Sequence, residues 1–156
     1  MKKIVSFLAL VVLVGCVTMS MTAWAVPALP NDVQIVEPDF SLPKELTDFW
    51  GKWSGMKIIG GRGPGPPFGG SFKYELFIIV EKVDIWGAVL YFWSNQTPKW
   101  TRINADVLED GNKYIIKFIG IGGIENIISL REDGTMECFN SGQRPGFRTV
   151  ILKRVP

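Results

Sequence analysis

The stretch SFKYELFIIVEKV (residues 71–83) alternates between apolar and charged side chains. Its apolar set is Phe72, Tyr74, Leu76, Ile78 and Val80, and its charged set is Lys73, Glu75 and Glu81. A period of two residues is that of a β-strand, because successive side chains point to opposite faces of the sheet. The stretch therefore predicts a strand with one face on an apolar core and the other face towards solvent.

Similar stretches, rich in β-branched and aromatic residues, follow one another from residue 49 to the C-terminus. They predict eight strands, over residues 49–59, 71–83, 86–94, 99–108, 113–119, 124–131, 135–140 and 147–155. Asp110-Gly111 and Asp133-Gly134 are typical of tight hairpins, and connections this short leave no room for crossover helices. We expect an all-β fold, a single antiparallel up-and-down barrel of about eight strands. Such a barrel is filled by its side chains or holds one small ligand.

The third of these segments, residues 86–94, is apolar on both faces. A strand of this kind has two possible environments. Either its outer face is covered by another part of the chain, or it contributes to an exposed aromatic patch. The sequence leaves both open.

The N-terminus has the three parts of an export signal. Lys2 and Lys3 precede an apolar stretch over residues 4–17, and the small-residue site Ala23-Trp24-Ala25 follows. The apolar stretch is shorter than the roughly 20 residues that a membrane-spanning helix needs. We predict a signal peptide over residues 1–25 and a location in the periplasm or outside the cell.

A second processing site overlaps the first. The stretch Leu13-Val14-Gly15-Cys16 resembles a bacterial lipobox, in which the cysteine is acylated and becomes the new N-terminus. Under this alternative the signal is residues 1–15, and acyl chains on Cys16 anchor the protein to the envelope membrane. In either case the proline-containing residues 26–45 form a tether, and residues 46–156 form the barrel domain.

The charge balance limits the classes of partner. The chain has 17 basic and 15 acidic side chains, and removal of Lys2 and Lys3 with the signal makes the two equal. A near-neutral protein lacks the long-range attraction that nucleic acid requires, so we expect no nucleic-acid partner. Membrane contact is expected only through lipidation of Cys16.

The residue content argues against catalysis. The chain has no histidine, which removes the commonest general base, the nucleophile pairs that depend on it, and histidine-bound metals. Cys138 is alone after signal removal, so no internal disulfide can form, and we interpret it as a small core residue. The acidic pairs Glu109-Asp110 and Glu132-Asp133 fit solvated turns. We expect a non-catalytic protein without metal or cofactor.

Several residues are candidates for binding. In the Gly- and Pro-rich segment over residues 60–70, Arg62 and Phe68 could cover the entrance of the barrel, although the segment could equally have no role. A small barrel buries only two or three tryptophans, so one or more of Trp86, Trp93 and Trp100 should line a surface or a cavity. Asn126 interrupts an apolar face and indicates a wet cavity.

Gly51-Lys52-Trp53, preceded by Phe49, resembles the opening of calycin-type barrels such as lipocalins, fatty-acid-binding proteins and avidins. The chain also resembles small exported bacterial barrel domains. The first resemblance implies that Gly51 and Trp53 are structural and that a basic side chain near the last strand, Arg148 or Arg154, packs across the tryptophan. It further implies a lipocalin-like module of the cell envelope that holds a small apolar or amphipathic molecule. The alternative is a structural or protein-interaction barrel with a filled core that contacts an envelope protein.

The two processing sites make different products, which intact mass spectrometry of the mature protein separates. We expect a chain that begins at Val26 without lipid, because residues 17–30 are too apolar for the solvated tether that usually follows a lipidated cysteine. An acylated chain beginning at Cys16, abolished by Cys16→Ser, would contradict this expectation.

Overall fold

The computed structural model describes residues 28–60, 71–141 and 149–156. One short helix, α1 (Lys44–Thr47), precedes eight strands: β1 (Gly51–Gly60), β2 (Ser71–Val83), β3 (Gly87–Ser94), β4 (Thr97–Asp110), β5 (Lys113–Ile119), β6 (Glu125–Leu130), β7 (Met136–Asn140) and β8 (Val150–Val155). Each strand pairs antiparallel with the next, and β8 pairs with β1 to close the barrel. The predicted fold class is confirmed.

The strand bounds agree closely with the predicted ones, and β4 shows the largest difference. It begins at Thr97 rather than at residue 99, because Thr97 pairs with Ser94 across the two-residue turn Asn95-Gln96. The hydroxyl groups of Ser94 and Thr97 lie 2.9 Å apart and hydrogen-bond across this turn. The strand also extends at its other end, to Asp110, which pairs with Lys113.

The two ends of the barrel differ. β1 begins at the end that α1 covers, which we call the helix end, and finishes at the opposite end, which we call the far end. Leu46 of α1 and Phe49 after it are fully buried and belong to the same core cluster as the strand side chains. Because neighbouring strands are antiparallel, the β2–β3, β4–β5 and β6–β7 connections lie at the helix end, and the remaining connections lie at the far end.

The middle of the barrel is filled by side chains. Inward-facing residues of seven strands have relative exposures of 0–1%: Trp53, Leu76, Ile78, Val80, Leu90, Ile116, Ile128, Met136 and Leu152. A side chain that lined a void large enough for a water molecule would have accessible area. These nine side chains therefore border no void of that size.

One outer face of the barrel is covered by the chain itself. Residues 28–36, which we call the N-terminal strap, contain a turn at Asn31-Asp32 and run across β2, β3 and β4. Trp100 Nε1 donates to the carbonyl of Ala28 at 3.0 Å, Tyr91 donates to Asp32 at 3.1 Å, and the Val36 amide donates to the carbonyl of Glu81 at 2.9 Å. Tyr91 and Trp93 are buried on this outer face. Of the two environments left open for residues 86–94, the structure shows the covered one for β3 itself, whereas Trp86, the first residue of the predicted segment, is exposed.

Below the strap, the buried carboxylate of Glu81 accepts three hydrogen bonds. Glu81 alternates with the inward-facing Val80 and so lies on the outer face, beside a bulge between Val80 and Lys82, where it is 6% exposed. Arg102 donates to one carboxylate oxygen from Nε at 3.2 Å and from Nη2 at 2.9 Å, and the Gln34 amide donates to the other at 3.1 Å. A buried charge is tolerated when its oxygens are satisfied in this way, so this cluster fixes the strap in place.

Cys138 lies inside the barrel on β7, and burial raises the pKa of its thiol to about 12. Since the thiolate is the reactive species, we expect no reaction of Cys138 with an aromatic disulfide reagent in native buffer and one equivalent of reaction in denaturant. The measurement is absorbance of the released thiol from the chain starting at Val26. Rapid stoichiometric reaction without denaturant would show that β7 opens readily.

Candidate functional site

Residues of the first and last strands contact each other at the helix end. Gly51 has a φ of +112°, and a Cβ built on it would lie 3.3 Å from Arg154 Nη1, so backbone conformation and space both favour glycine there. Trp53 is 1% exposed, and its indole N–H donates to the carbonyl of Phe49 at 2.8 Å. The indole therefore fills the core and also fixes the turn that leads from α1 into β1.

Arg154 of β8 lies across the ring of Trp53. Its guanidinium carbon is 4.7 Å from the indole centroid, within the range of a cation–π contact. The same group donates to the carbonyl of Trp50 at 2.8 Å and to that of Asp48 at 2.6 Å. Of the two basic residues considered from sequence, Arg154 makes this contact, and Arg148 lies outside the described residues.

A groove of about 720 Å³ lies beside this arrangement at the helix end. Phe40, Leu42 and Trp50 contribute to its apolar wall, and Arg131 and Arg154 contribute positive charge. The Trp50 indole N–H is buried without a hydrogen-bond partner, which leaves a donor for a water or another acceptor. The three cations that line the groove are already engaged, Arg154 by carbonyls, Arg131 by Asp133 and Glu137, and Lys44 by Asp48.

The β2–β3 connection presents an exposed tryptophan on a well-defined turn. Asp84 Oδ1 accepts from the backbone amides of Trp86 and Gly87, both at 2.9 Å, and the Asp84 amide donates to the Gly87 carbonyl at 2.9 Å. The bond from the Trp86 amide is the main reason why the pKa of Asp84 lies below its ordinary value. Trp86 itself is 82% exposed, next to the exposed Ile85. We call Ile85 and Trp86 the apolar tip.

The residues that sequence analysis proposed for binding do not form one site. Trp86 is outside the barrel at the helix end, whereas Trp93 is buried on the outer face of β3, with its ring T-shaped to that of Phe77 and the two centroids 5.5 Å apart. Asn126 points inward near the far end, where its amide donates to the Ile124 carbonyl at 2.9 Å. Arg62 and Phe68, with the loop over residues 60–70 that was expected to cover the entrance, fall outside the described residues apart from Gly60.

Sequence reasoning missed Ile85 and Phe40 as surface residues. Phe40 is 97% exposed in the segment between the strap and α1. A signal for the tip exists in the sequence: Asp84 followed three residues later by Gly87 is a turn pattern, and it places Ile85 and Trp86 at the outside of a hairpin. No local signal marks Phe40, since its exposure depends on what packs around it.

Comparison of the chain with protein-family models, with curated proteins and with solved structures finds no match. Within residues 28–60, 71–141 and 149–156, no three histidine, cysteine, aspartate or glutamate side chains are grouped to hold a metal ion. The same residues contain no helix long and apolar enough to cross a membrane. The candidate sites therefore rest on the geometry of this chain.

Substitution of Trp53 tests its role at the helix end. We expect Trp53→Ala to lower the free energy of unfolding by about 3–5 kcal/mol, the usual cost of emptying a buried aromatic site. Trp86→Ala is the matched control, because it removes the same side chain from an exposed position and should cost about 0.5 kcal/mol or less. Urea denaturation of both variants measures the difference, and a Trp53→Ala loss below about 1 kcal/mol would contradict the packing described.

Proposed function

We propose that this protein is an exported, non-catalytic barrel that binds a protein partner of the cell envelope through its helix end, with the apolar tip as the anchor. The observation that carries the proposal is the state of Trp86, which is 82% exposed on a turn fixed by Asp84. The indole of an exposed tryptophan is in contact with water in the free protein. A partner that covers it removes a large apolar area from water, which stabilises the complex. Tryptophan is also the residue most enriched among energetically dominant interface contacts.

The packed interior supports a surface-binding function over a ligand-carrying one. A lipocalin-like carrier needs an apolar cavity of several hundred Å³. In this barrel the central side chains, such as Leu90, Ile116 and Leu152, are fully buried against their neighbours. An apolar ligand at that depth would have to displace them.

A second candidate function is binding of a small apolar molecule at the far end of the interior. Three inward-facing side chains there, Phe92, Phe118 and Asn126, retain 3–8% exposure, unlike those at the middle of the barrel. The two phenylalanine rings are tilted against each other with centroids 5.8 Å apart. Two aromatic rings and one amide at this end would suit an amphipathic ligand, as the sequence analysis expected.

We also infer a relationship to calycin-type barrels. The eight-stranded closed antiparallel barrel is compatible with that fold. The contact between Arg154 and Trp53, next to a glycine with positive φ, supports the inference because it links the first and last strands as the resemblance implies.

Photo-crosslinking in the producing cells tests the partner. A benzophenone amino acid in place of Trp86 should give one adduct of defined mass, and Ile85→Ser in the same chain should abolish it. Asn112, exposed on the β4–β5 turn at the same end, is the matched control position and should give none.

The same adduct from both positions, or none from position 86, would overturn the partner proposal.

Quenching of tryptophan fluorescence by fatty acids tests the second candidate function. A saturable response that Asn126→Leu changes would favour ligand binding, and no response would count against it.

A further inference from the structure

The far end of the barrel carries exposed aliphatic side chains. Ile58 lies near the end of β1, Ile119 is the last residue of β5, and Ile124 directly precedes β6. Antiparallel order brings these positions to the same end, and each side chain is between 46 and 62% exposed. Leu29 of the strap, 43% exposed, follows Ala28, which is bonded to Trp100 near the start of β4.

Charges are divided between the two ends although the mature chain is near neutral. Lys73 and Lys99 are exposed near the far end, at the starts of β2 and β4. Glu125 also lies there, but Lys117 binds it at 2.6 Å, and Glu75 is half-buried. At the helix end carboxylates outnumber cations: Glu45, Asp48, Asp84, Asp106, Glu109, Asp110, Glu132, Asp133 and Glu137 lie there with Lys44, Lys52, Lys82, Lys113, Arg131, Lys153 and Arg154. The far end therefore combines aliphatic and cationic groups, and the helix end is acidic.

The chain leaves the barrel towards its N-terminus beside the far end. The strap reaches Ala28 at its bond with Trp100, three residues from the first residue of β4. A chain ending at Val26 would have its α-amino group two residues further on. A lipid on Cys16 would be tethered by a dozen residues, with a reach of at most about 40 Å. Ala28 therefore lies on the side of the aliphatic and cationic end.

We propose that the far end docks on the surface of an anionic phospholipid bilayer. Ile58, Ile119 and Ile124 enter the boundary between headgroups and acyl chains, and Lys73 and Lys99 contact the lipid phosphates. This combination of aliphatic burial and cationic attraction is what holds proteins at an anionic membrane surface. The acidic helix end is turned away from the membrane, with the apolar tip free to meet a partner. The docking requires neither lipidation nor that partner.

Vesicle sedimentation tests the proposal with the unlipidated chain from Val26 to Pro156. Binding to vesicles of phosphatidylglycerol and phosphatidylethanolamine should exceed binding to phosphatidylcholine vesicles and should weaken with salt. The double variant Lys73→Gln and Lys99→Gln should bind the anionic vesicles about 25-fold more weakly, at about fivefold for each lysine near the surface. The matched control, Lys82→Gln and Lys113→Gln, removes the same charge from the helix end and should bind as the parent does.

Failure to bind anionic vesicles, equal binding to both kinds of vesicle, or equal losses in the two double variants would each overturn the proposal. The last result would show a dependence on net charge rather than on one face. Because no partner is present, these outcomes leave the proposed function of the apolar tip untouched.

A fluorescent label measures the orientation directly. Ile124→Cys and Ile85→Cys each offer an exposed thiol for an environment-sensitive probe, whereas Cys138 is buried. We expect the probe at position 124 to shift to shorter wavelength on anionic vesicles, and the probe at position 85 to remain unchanged. A shift at position 85 as large as that at position 124 would overturn the assignment of the far end.

Discussion

The contact between Arg154 and Trp53 joins the first and the last strand of the barrel. Trp53 lies at the start of the first strand and Arg154 near the end of the last, and they are paired across the seam that closes the barrel. The guanidinium has the indole on one side and donates to two carbonyls of the chain that enters from α1. One planar cation thus satisfies the backbone at the end of the helix, covers the largest buried ring and aligns β8 with β1. A lysine has no planar fork and could not make these contacts together.

Closure has a consequence for the outside of the barrel. Since every strand has two neighbours, the barrel has no edge strand, and a partner meets it mainly through side chains or connections. On β2, β3 and β4 the outer face is used by the strap, which is fixed through Glu81 and Arg102. The surfaces that remain for other molecules are the two ends and the outer faces of the other strands.

The two ends offer different chemistry, and this difference connects the two proposals. The helix end is acidic and presents Trp86 on a turn that Asp84 holds rigid, which suits recognition of a folded partner. The far end has aliphatic side chains at the ends of β1 and β5 together with lysines, and the N-terminal side of the chain emerges beside it. A protein oriented in this way would face the membrane with one end and solvent with the other.

The sequence by itself determined the all-β class, the number of strands and most of their bounds. These follow from local rules: the alternation over residues 71–83 and the dipeptides Asp110-Gly111 and Asp133-Gly134 act within a few residues of the chain. Tertiary structure alone decided which apolar residues are exposed. Trp86 and Trp93 belong to one predicted strand, yet one is in solvent and the other is buried, because the strap that covers β3 comes from far away in sequence, with Asp32 bonded to Tyr91 across 59 positions. The choice of Arg154 and the filling of the interior were decided in the same way, since both depend on side chains brought together only when the barrel closes.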